Sequence, residues 1–192
     1  MTFKGDRVWF GTHDGKVWRS TDKGKTWTKN TIEAGRSIRG LDFKDEFNGI
    51  AVSSENSITD EDNNKAWRTS DGGETWTEIP IPESPLASNI QYVEGSANDV
   101  DDCGTYFIYY SYSAGGGPGT AYSKDDGQSW TFISEHPVYK MEFVSQEVGW
   151  FGGITHDSNG GLFKWNGEDL TGDGNCLTSS DEEIIDNASL LI

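Results

Sequence analysis

One short pattern occurs three times along the 192-residue chain and constrains its fold more than any other feature. Each copy reads Ser or Thr, any residue, Asp, any residue, Gly, any residue, Thr or Ser, and then Trp. The copies occupy residues 20–27, 69–76 and 123–130, so the pattern recurs about every 50 residues. A repeat of this length is typical of the four-stranded sheets of a β-propeller. The sequence therefore predicts a chain built from similar β-sheets, one per repeat.

The segments around these copies repeat as well. Residues 38–43 and 49–52 match residues 138–143 and 149–152 in their apolar positions and in one Gly, and 89–93 is a looser copy. We expect blade units at 7–31, 37–82, 88–135 and 137–166. The first unit is expected to hold only its second to fourth strands, and the last to end without a recognisable copy of the pattern. Residues 167–192 form an acidic tail or linker that could complete a strand. The domain would then span 1–166.

Composition agrees with this fold class. The chain has 24 Gly, 8 Trp, 7 Tyr and 9 Phe, and the aromatic and β-branched residues stand in short runs between turn-forming residues. No stretch shows a sustained apolar period of 3.6 residues, which argues against helices. We predict an all-β propeller of about four blade units, partial or open rather than closed.

The charge balance excludes several partners. Lys and Arg number 15 and Asp and Glu number 32, for a net charge of −17. Such a chain repels nucleic acid and anionic membrane surfaces. It has no apolar run of roughly 20 residues for membrane insertion, and no signal peptide is recognisable in this chain. Two cysteines, Cys103 and Cys176, either pair or remain free thiols.

The repeated pattern has a structural interpretation. The Asp accepts hydrogen bonds within its own turn, the Gly supplies a positive φ, and the Trp buries its ring between layers. A metal-binding or catalytic role is the alternative, but one site is needed only once, whereas a turn is needed in every unit. The residues assigned this structural role are Ser20, Asp22, Gly24, Thr26 and Trp27; Thr69, Asp71, Gly73, Thr75 and Trp76; and Ser123, Asp125, Gly127, Ser129 and Trp130.

The pattern resembles the Asp-box, or BNR repeat, of sialidases, xyloglucanases, the sortilin ectodomain and the photosystem II stability/assembly factors. The wider unit is most similar to the last group and its bacterial relatives, which include secreted proteins of Bacteroidetes. The resemblance implies a β-propeller and an extracellular or periplasmic location for the full-length parent. The resemblance does not identify any one function.

An enzymatic site is not apparent. A sialidase-like site would need an arginine triad drawn from several blades, yet no arginine follows residue 68. The arginines are Arg7, Arg19, Arg36, Arg39 and Arg68. A xyloglucanase-like site needs two carboxylates, and nothing singles out one pair among so many. The three histidines, His13, His136 and His156, are scattered. We therefore expect no catalytic residues.

One segment has the first half of a calcium loop. Its candidate ligands are Asp169, Thr171, Asp173 and Asn175. The acidic residue expected at position twelve is replaced by Ser180, so a solvated turn is the alternative. We expect no cofactor other than this calcium ion.

These observations favour a non-catalytic, extracytoplasmic repeat module that presents loops to a protein or glycan partner. Part of a glycoside hydrolase propeller, sialidase-like or xyloglucanase-like, is the alternative. An assembly factor that docks on a larger complex is a third class, implied by the resemblance.

Overall fold

The computed structural model describes residues 1–54, 64–81, 87–95, 104–110, 120–134, 140–152 and 162–165, and all regular structure within them is β-strand. The strands are β1 (Thr2–Lys4), β2 (Arg7–Gly11), β3 (Lys16–Ser20), β4 (Thr28–Thr31), β5 (Ile38–Phe43), β6 (Gly49–Ser54), β7 (Asn64–Thr69), β8 (Thr77–Ile79), β9 (Ala87–Val93), β10 (Thr105–Tyr110), β11 (Thr120–Ser123), β12 (Thr131–Ser134), β13 (Lys140–Ser145), β14 (Val148–Gly152) and β15 (Leu162–Lys164). No helix in these ranges is long and apolar enough to cross a bilayer.

The strands form four antiparallel sheets in chain order: β1–β4, β5–β8, β9–β12 and β13–β15. The first strands of successive sheets contact one another, β1 with β5, β5 with β9 and β9 with β13, so they line one side of the arrangement. Among the described strands, no extensive contact joins the fourth sheet to the first. The predicted all-β propeller with about four units, open rather than closed, is confirmed.

Three apolar layers lie between the four sheets. Side chains along each strand alternate between the two faces of its sheet. We call the face toward the next sheet along the chain the forward face, and the opposite face the backward face. Trp9 on the forward face of the first sheet stacks on Phe43 of the second, with ring centroids 3.8 Å apart. Phe107 of the third sheet stacks on Phe143 of the fourth at 3.9 Å. Between the second and third sheets, Ile50 packs in a cluster with Ile108.

Two glycines explain part of the sequence repeat. A Cβ on Gly49 would lie 2.6 Å from the ring of Phe43, and one on Gly149 would lie 2.5 Å from the ring of Phe143. Each pair faces across the first two strands of its sheet. The ring therefore excludes any side chain at the paired position, and Phe and Gly recur together.

The first unit differs from its sequence prediction. We expected only its second to fourth strands, within 7–31, but β1 is paired with β2 through Thr2↔Trp9 and supplies the missing first strand. The expectation was wrong because β1 has three residues and a two-residue turn, too short to show a strand pattern. The 167–192 tail lies outside the described residues, and the outer boundaries of the units stay predictions.

The burial of two tryptophans generates a test of this packing. Trp9 is fully buried, whereas Trp27 is 36% exposed. Replacing Trp9 with Ala removes a ring stacked between two sheets and is expected to cost about 3–5 kcal/mol of unfolding free energy. Trp27→Ala, the same chemical change at a half-solvated site, is expected to cost on the order of 1 kcal/mol. Denaturant unfolding of both variants measures the difference, and a larger loss for Trp27→Ala would contradict the layer assignment.

Candidate functional site

The three copies of the repeated pattern, which we call the box turns, join the third and fourth strands of the first three sheets. In each, the first residue's hydroxyl donates to the Asp Oδ1 at 2.7–2.8 Å. The same hydroxyl oxygen accepts the N–H of the box Gly at 2.8–2.9 Å. One geometry is therefore built three times from the same side chains.

The Asp carboxylate closes the turn from the other side. Its Oδ1 accepts the N–H of Thr26, Thr75 or Ser129 at 2.8–2.9 Å. Its Oδ2 accepts the hydroxyl of the same residue at 2.5–2.6 Å. Both oxygens are thus occupied by the turn itself, which leaves these carboxylates poorly suited to bind a metal ion or to exchange protons with a substrate.

The backbone of each box turn contains two consecutive left-handed residues. The box glycines Gly24, Gly73 and Gly127 have φ of 81–85°, in line with the glycine requirement expected from sequence. The preceding residues also have positive φ: Lys23 at 60°, Gly72 at 74° and Asp126 at 55°. Sequence reasoning missed this second position because only Gly72 among the three signals it. The side-chain hydrogen bonds hold Lys23 in a conformation that non-glycine residues rarely adopt.

These hydrogen bonds lower the pKa of all three carboxyls. For Asp22, the hydroxyl and N–H of Thr26 lower the pKa from 3.8 to about 2. For Asp71 and Asp125, burial raises the pKa, but hydrogen bonds from Thr75 and Ser129 outweigh it and the net shift is downward. The folded turn therefore stabilises the ionised form of each Asp.

The second and third box turns also bind the preceding sheet. The indole Nε1 of Trp9 donates to the carbonyl of Gly72 at 2.8 Å, and Arg19 pairs with Glu74 at 2.9 Å. In the third turn, Lys44 pairs with Asp126 at 2.5 Å, and the box Trp130 donates to the carbonyl of Pro80 at 3.0 Å. The turns are contacts between sheets as well as hairpins within one sheet, a role that sequence reasoning missed.

The box tryptophans are less buried than expected. Trp27 is exposed and donates to the carbonyl of Gly24 in its own turn, while Trp76 and Trp130 are half-buried. The expectation that all three rings are buried between layers was wrong. The first box turn has no preceding sheet among the described residues to cover Trp27. Trp76, by contrast, packs against the layer between the first and second sheets, in which Trp9 of β2 is fully buried.

A second set of polar contacts links the first strands. Thr2 donates to Asp42 Oδ1 at 2.5 Å, and Asp42 Oδ2 accepts the N–H of Tyr92 at 2.8 Å. Gln91 accepts the N–H of Phe143 and donates to its carbonyl, both at 3.0 Å. These forward-facing side chains occupy one register position in successive sheets, and they satisfy backbone groups that lie between sheets.

The two ends of the sheets differ in what occupies them. The box turns lie at the same end as the connections between first and second strands, because Lys23 N–H donates to Asp6 and Gly72 N–H to Phe47. We call this the box end. At the opposite end, which we call the loop end, the second strands end and the third strands begin; it holds residues 12–15 of the first sheet and residues 32–37 between the first two sheets.

Described residues at the loop end form a charged network. Glu33 binds Arg36 at 3.1 Å and Lys65 at 3.0 Å, and Ser37 bonds to Nδ1 of His13 at 2.8 Å. Burial raises the pKa of Glu33, but the two cations outweigh it and lower the pKa overall. The hydrogen bond to Glu33 raises the pKa of Lys65. The network ties the first inter-sheet connection to the second sheet.

Comparison with known families identifies this arrangement. A family model described as Sortilin-Vps10 (sortilin, neurotensin receptor 3) matches residues 15–171. The chain belongs to the Sortilin-Vps10 family. No curated protein sequence gives a significant match.

Several solved structures share the fold of this Sortilin-Vps10 chain. The structure of YCF48 bound to D1 peptide is 16% identical with a TM-score of 0.53, and the match covers 76% of this chain and 42% of that one. An ancestral GH74 enzyme is 16% identical with a TM-score of 0.58, covering 85% and 22%. The Niastella koreensis GH74 enzyme is 19% identical with a TM-score of 0.54, covering 84% and 27%. The chain therefore spans less than half the length of each structure.

The remaining candidate residues of the Sortilin-Vps10 chain do not form a common site. Arg7 lies 3.5 Å from Glu46, and Arg19 and Arg36 pair with Glu74 and Glu33. No group of three metal-ligating side chains occurs in the described ranges. The calcium candidates Asp169, Thr171, Asp173 and Asn175 lie outside those ranges, as do Cys103, Cys176, His136 and His156.

The lowered pKa of the box carboxyls predicts an acid dependence of stability. A carboxyl with a depressed folded pKa stabilises the protein above its unfolded pKa, and this contribution is lost as the pH falls through the folded value. For Asp22 that window runs from 3.8 down to about 2. We expect Asp22→Asn to be less stable than the wild type near neutral pH and to lose less stability across this window.

The measurement is chemical unfolding at a series of pH values. Glu147→Gln is the control, because Glu147 is an exposed carboxylate outside the box turns. The control should keep the acid dependence of the wild type. An unchanged acid dependence in Asp22→Asn would contradict the role of this carboxylate.

Proposed function

We propose that this chain is a non-catalytic propeller module that binds a protein partner through the loop end of its sheets. Membership of the Sortilin-Vps10 family supports a location outside the cytoplasm for the full-length protein. The observation that carries the proposal is that the polar groups of the box end are already bonded within the protein. There the recurring carboxylates bond to their own turns, and the second and third turns also bond to the preceding sheet.

The loop end has the features of a recognition surface. Its connections differ in length and composition between units, whereas the box turns are nearly identical. Binding residues are commonly carried by variable loops on a rigid scaffold. The stacked layers and first-strand hydrogen bonds supply such a scaffold in the described strands.

The chemistry of the partner follows from charge. With a net charge of −17, the chain attracts cationic segments and repels anionic ones. The similar fold of YCF48, which was solved bound to a D1 peptide, supports a peptide segment as the bound element. A basic stretch of a protein partner is therefore the proposed ligand.

Labelled peptides of equal length test this proposal by fluorescence anisotropy. We expect saturable binding of a Lys/Arg-rich peptide that weakens as salt is added, and no binding of a Glu/Asp-rich peptide. An array of neutral and anionic glycans tests the other ligand class. Binding to glycans without binding to the basic peptide would contradict the proposal.

Two charge-reversal pairs locate the surface. Asp14→Lys with Glu78→Lys changes exposed carboxylates near the loop end, and Asp6→Lys with Glu147→Lys makes the same change in charge at the box end. The first pair should weaken binding of the basic peptide strongly and the second only slightly. Equal losses would indicate diffuse attraction and would contradict a loop-end site.

A glycoside hydrolase is the competing function, because the two GH74 enzymes share the fold. Several arginines here bind the protein's own carboxylates rather than facing a common point. We expect no hydrolysis of aryl sialosides, aryl β-glucosides or xyloglucan. Turnover that one acidic substitution abolishes without unfolding the protein would favour the hydrolase.

A further inference from the structure

Each interface between sheets uses the same register positions. Trp9, Ile50 and Phe107 occupy one position on the second strands, each paired with the residue three before the box Asp: Arg19, Arg68 and Tyr122. All three side chains point forward. Trp9 and Phe107 stack on Phe43 and Phe143, which hold the same register position in the first strands of the next sheets.

The forward half of this interface is present, uncovered, on the fourth sheet. Trp150 lies opposite Glu142 and Lys164, in the position that Trp9 and Phe107 hold in their sheets. Its side chain is 38% exposed, whereas Trp9 and Phe107 are fully buried. The fourth sheet thus presents an indole ring in the register that elsewhere stacks on a following sheet.

The backward half is present on the first sheet. Phe3 is paired with Val8, as Phe43 is with Gly49 and Phe143 with Gly149. It is 70% exposed, whereas Phe43 and Phe143 are buried beneath the rings of the preceding sheets. Phe10 and Trp18 stack beside it on the same face, with Trp27 edge-on to Phe10.

The polar groups of the two faces are also complementary. Glu142 is exposed and occupies the position from which Asp42 and Gln91 accept the N–H of the next first strand. The equivalent N–H on the first sheet is that of Phe3. The carbonyl of Lys23 is equivalent to that of Gly72, which accepts the indole N–H of Trp9. It is therefore placed to accept the indole N–H of Trp150.

We propose that the fourth sheet of one chain binds the first sheet of a second copy, head to tail. Trp150 stacks on the partner copy's first sheet at Phe3, and Glu142 accepts the main-chain N–H there. The occupant is a second copy because the two exposed faces continue an interface that the chain already builds three times. A heterologous contact of this kind closes into a ring or extends into an open chain. The interface is independent of the proposed partner surface at the loop end.

Sedimentation velocity of the full 192-residue chain over a concentration series tests the interface. We expect reversible self-association that moderate salt strengthens, because salt screens the repulsion between two strongly acidic copies. Phe3→Glu and Trp150→Glu should each weaken the association at least about 30-fold, as expected for removal of one aromatic hot spot. Phe132→Glu changes a 48% exposed aromatic on β12, away from both faces, and should leave it unchanged.

Mixing the two variants decides the geometry. Phe3→Glu keeps an intact fourth sheet and Trp150→Glu an intact first sheet, so an equimolar mixture should form a one-to-one complex that neither variant forms alone. Phe3→Ala and Trp150→Ala provide the same comparison without an added charge. Thermal unfolding midpoints equal to that of the wild type confirm that the variants are folded.

Several results would overturn the proposal. They are a wild-type monomer at every concentration, equal association of wild type and Trp150→Glu, or no complex in the mixture of folded variants. If the wild type is monomeric and associates only after removal of 167–192, the exposed face is covered by the chain's own C-terminal segment rather than by a second copy.

Discussion

The box Asp carboxylate is the constraint on which the packing of the sheets depends. By accepting the N–H and hydroxyl of the residue four positions later, it holds two residues in the left-handed region. That backbone shape turns the carbonyl of Gly72 toward the indole N–H of Trp9 and brings Asp126 within reach of Lys44. A local turn thereby positions two sheets against each other, which explains why the same eight-residue pattern recurs in successive units.

The box turns have a structural role, so binding residues are expected at the loop end instead. Side chains that must satisfy a turn and a neighbouring sheet have little freedom to change, because a buried donor or acceptor left unpaired costs about 1–3 kcal/mol. At the loop end, Thr12 accepts the N–H of Ile38 and Glu33 pairs with Lys65, which anchors the first inter-sheet connection, whereas the sequences of the connections differ between units. One rigid scaffold can therefore carry different connections at that end, and fold alone does not define what they bind.

The elements that follow from local pattern were predictable from the sequence. The repeat spacing indicated one sheet per unit, and the box Gly indicated a positive φ. What could not be predicted depends on the neighbouring sheet. Neither the partial exposure of Trp27 nor the burial of Trp9 is encoded by the box itself, because each depends on whether another sheet lies against it.

The candidate site shows the same division. The hydrogen bonds of the box Asp residues were predictable from the sequence, since their partners lie within the same turn. The bridges of Asp42 and Gln91 were not, because their partners are N–H groups about 50 residues away in the next sheet. A polar residue between apolar neighbours, such as Asp42 between Leu41 and Phe43, is the one signal that could have revealed them.

Stability in this architecture is distributed over interfaces rather than held in one core. Each apolar layer is shared by only two sheets. The free energy of unfolding of the chain is therefore close to a sum of contributions from single sheets and from interfaces between neighbouring sheets. The second and third sheets are covered on both faces by described residues, and the first and fourth on one face only. The exposed rings of Phe3 and Trp150 follow from this inequality. Covering them adds one more copy of an interface whose geometry the chain already specifies, without any new kind of contact.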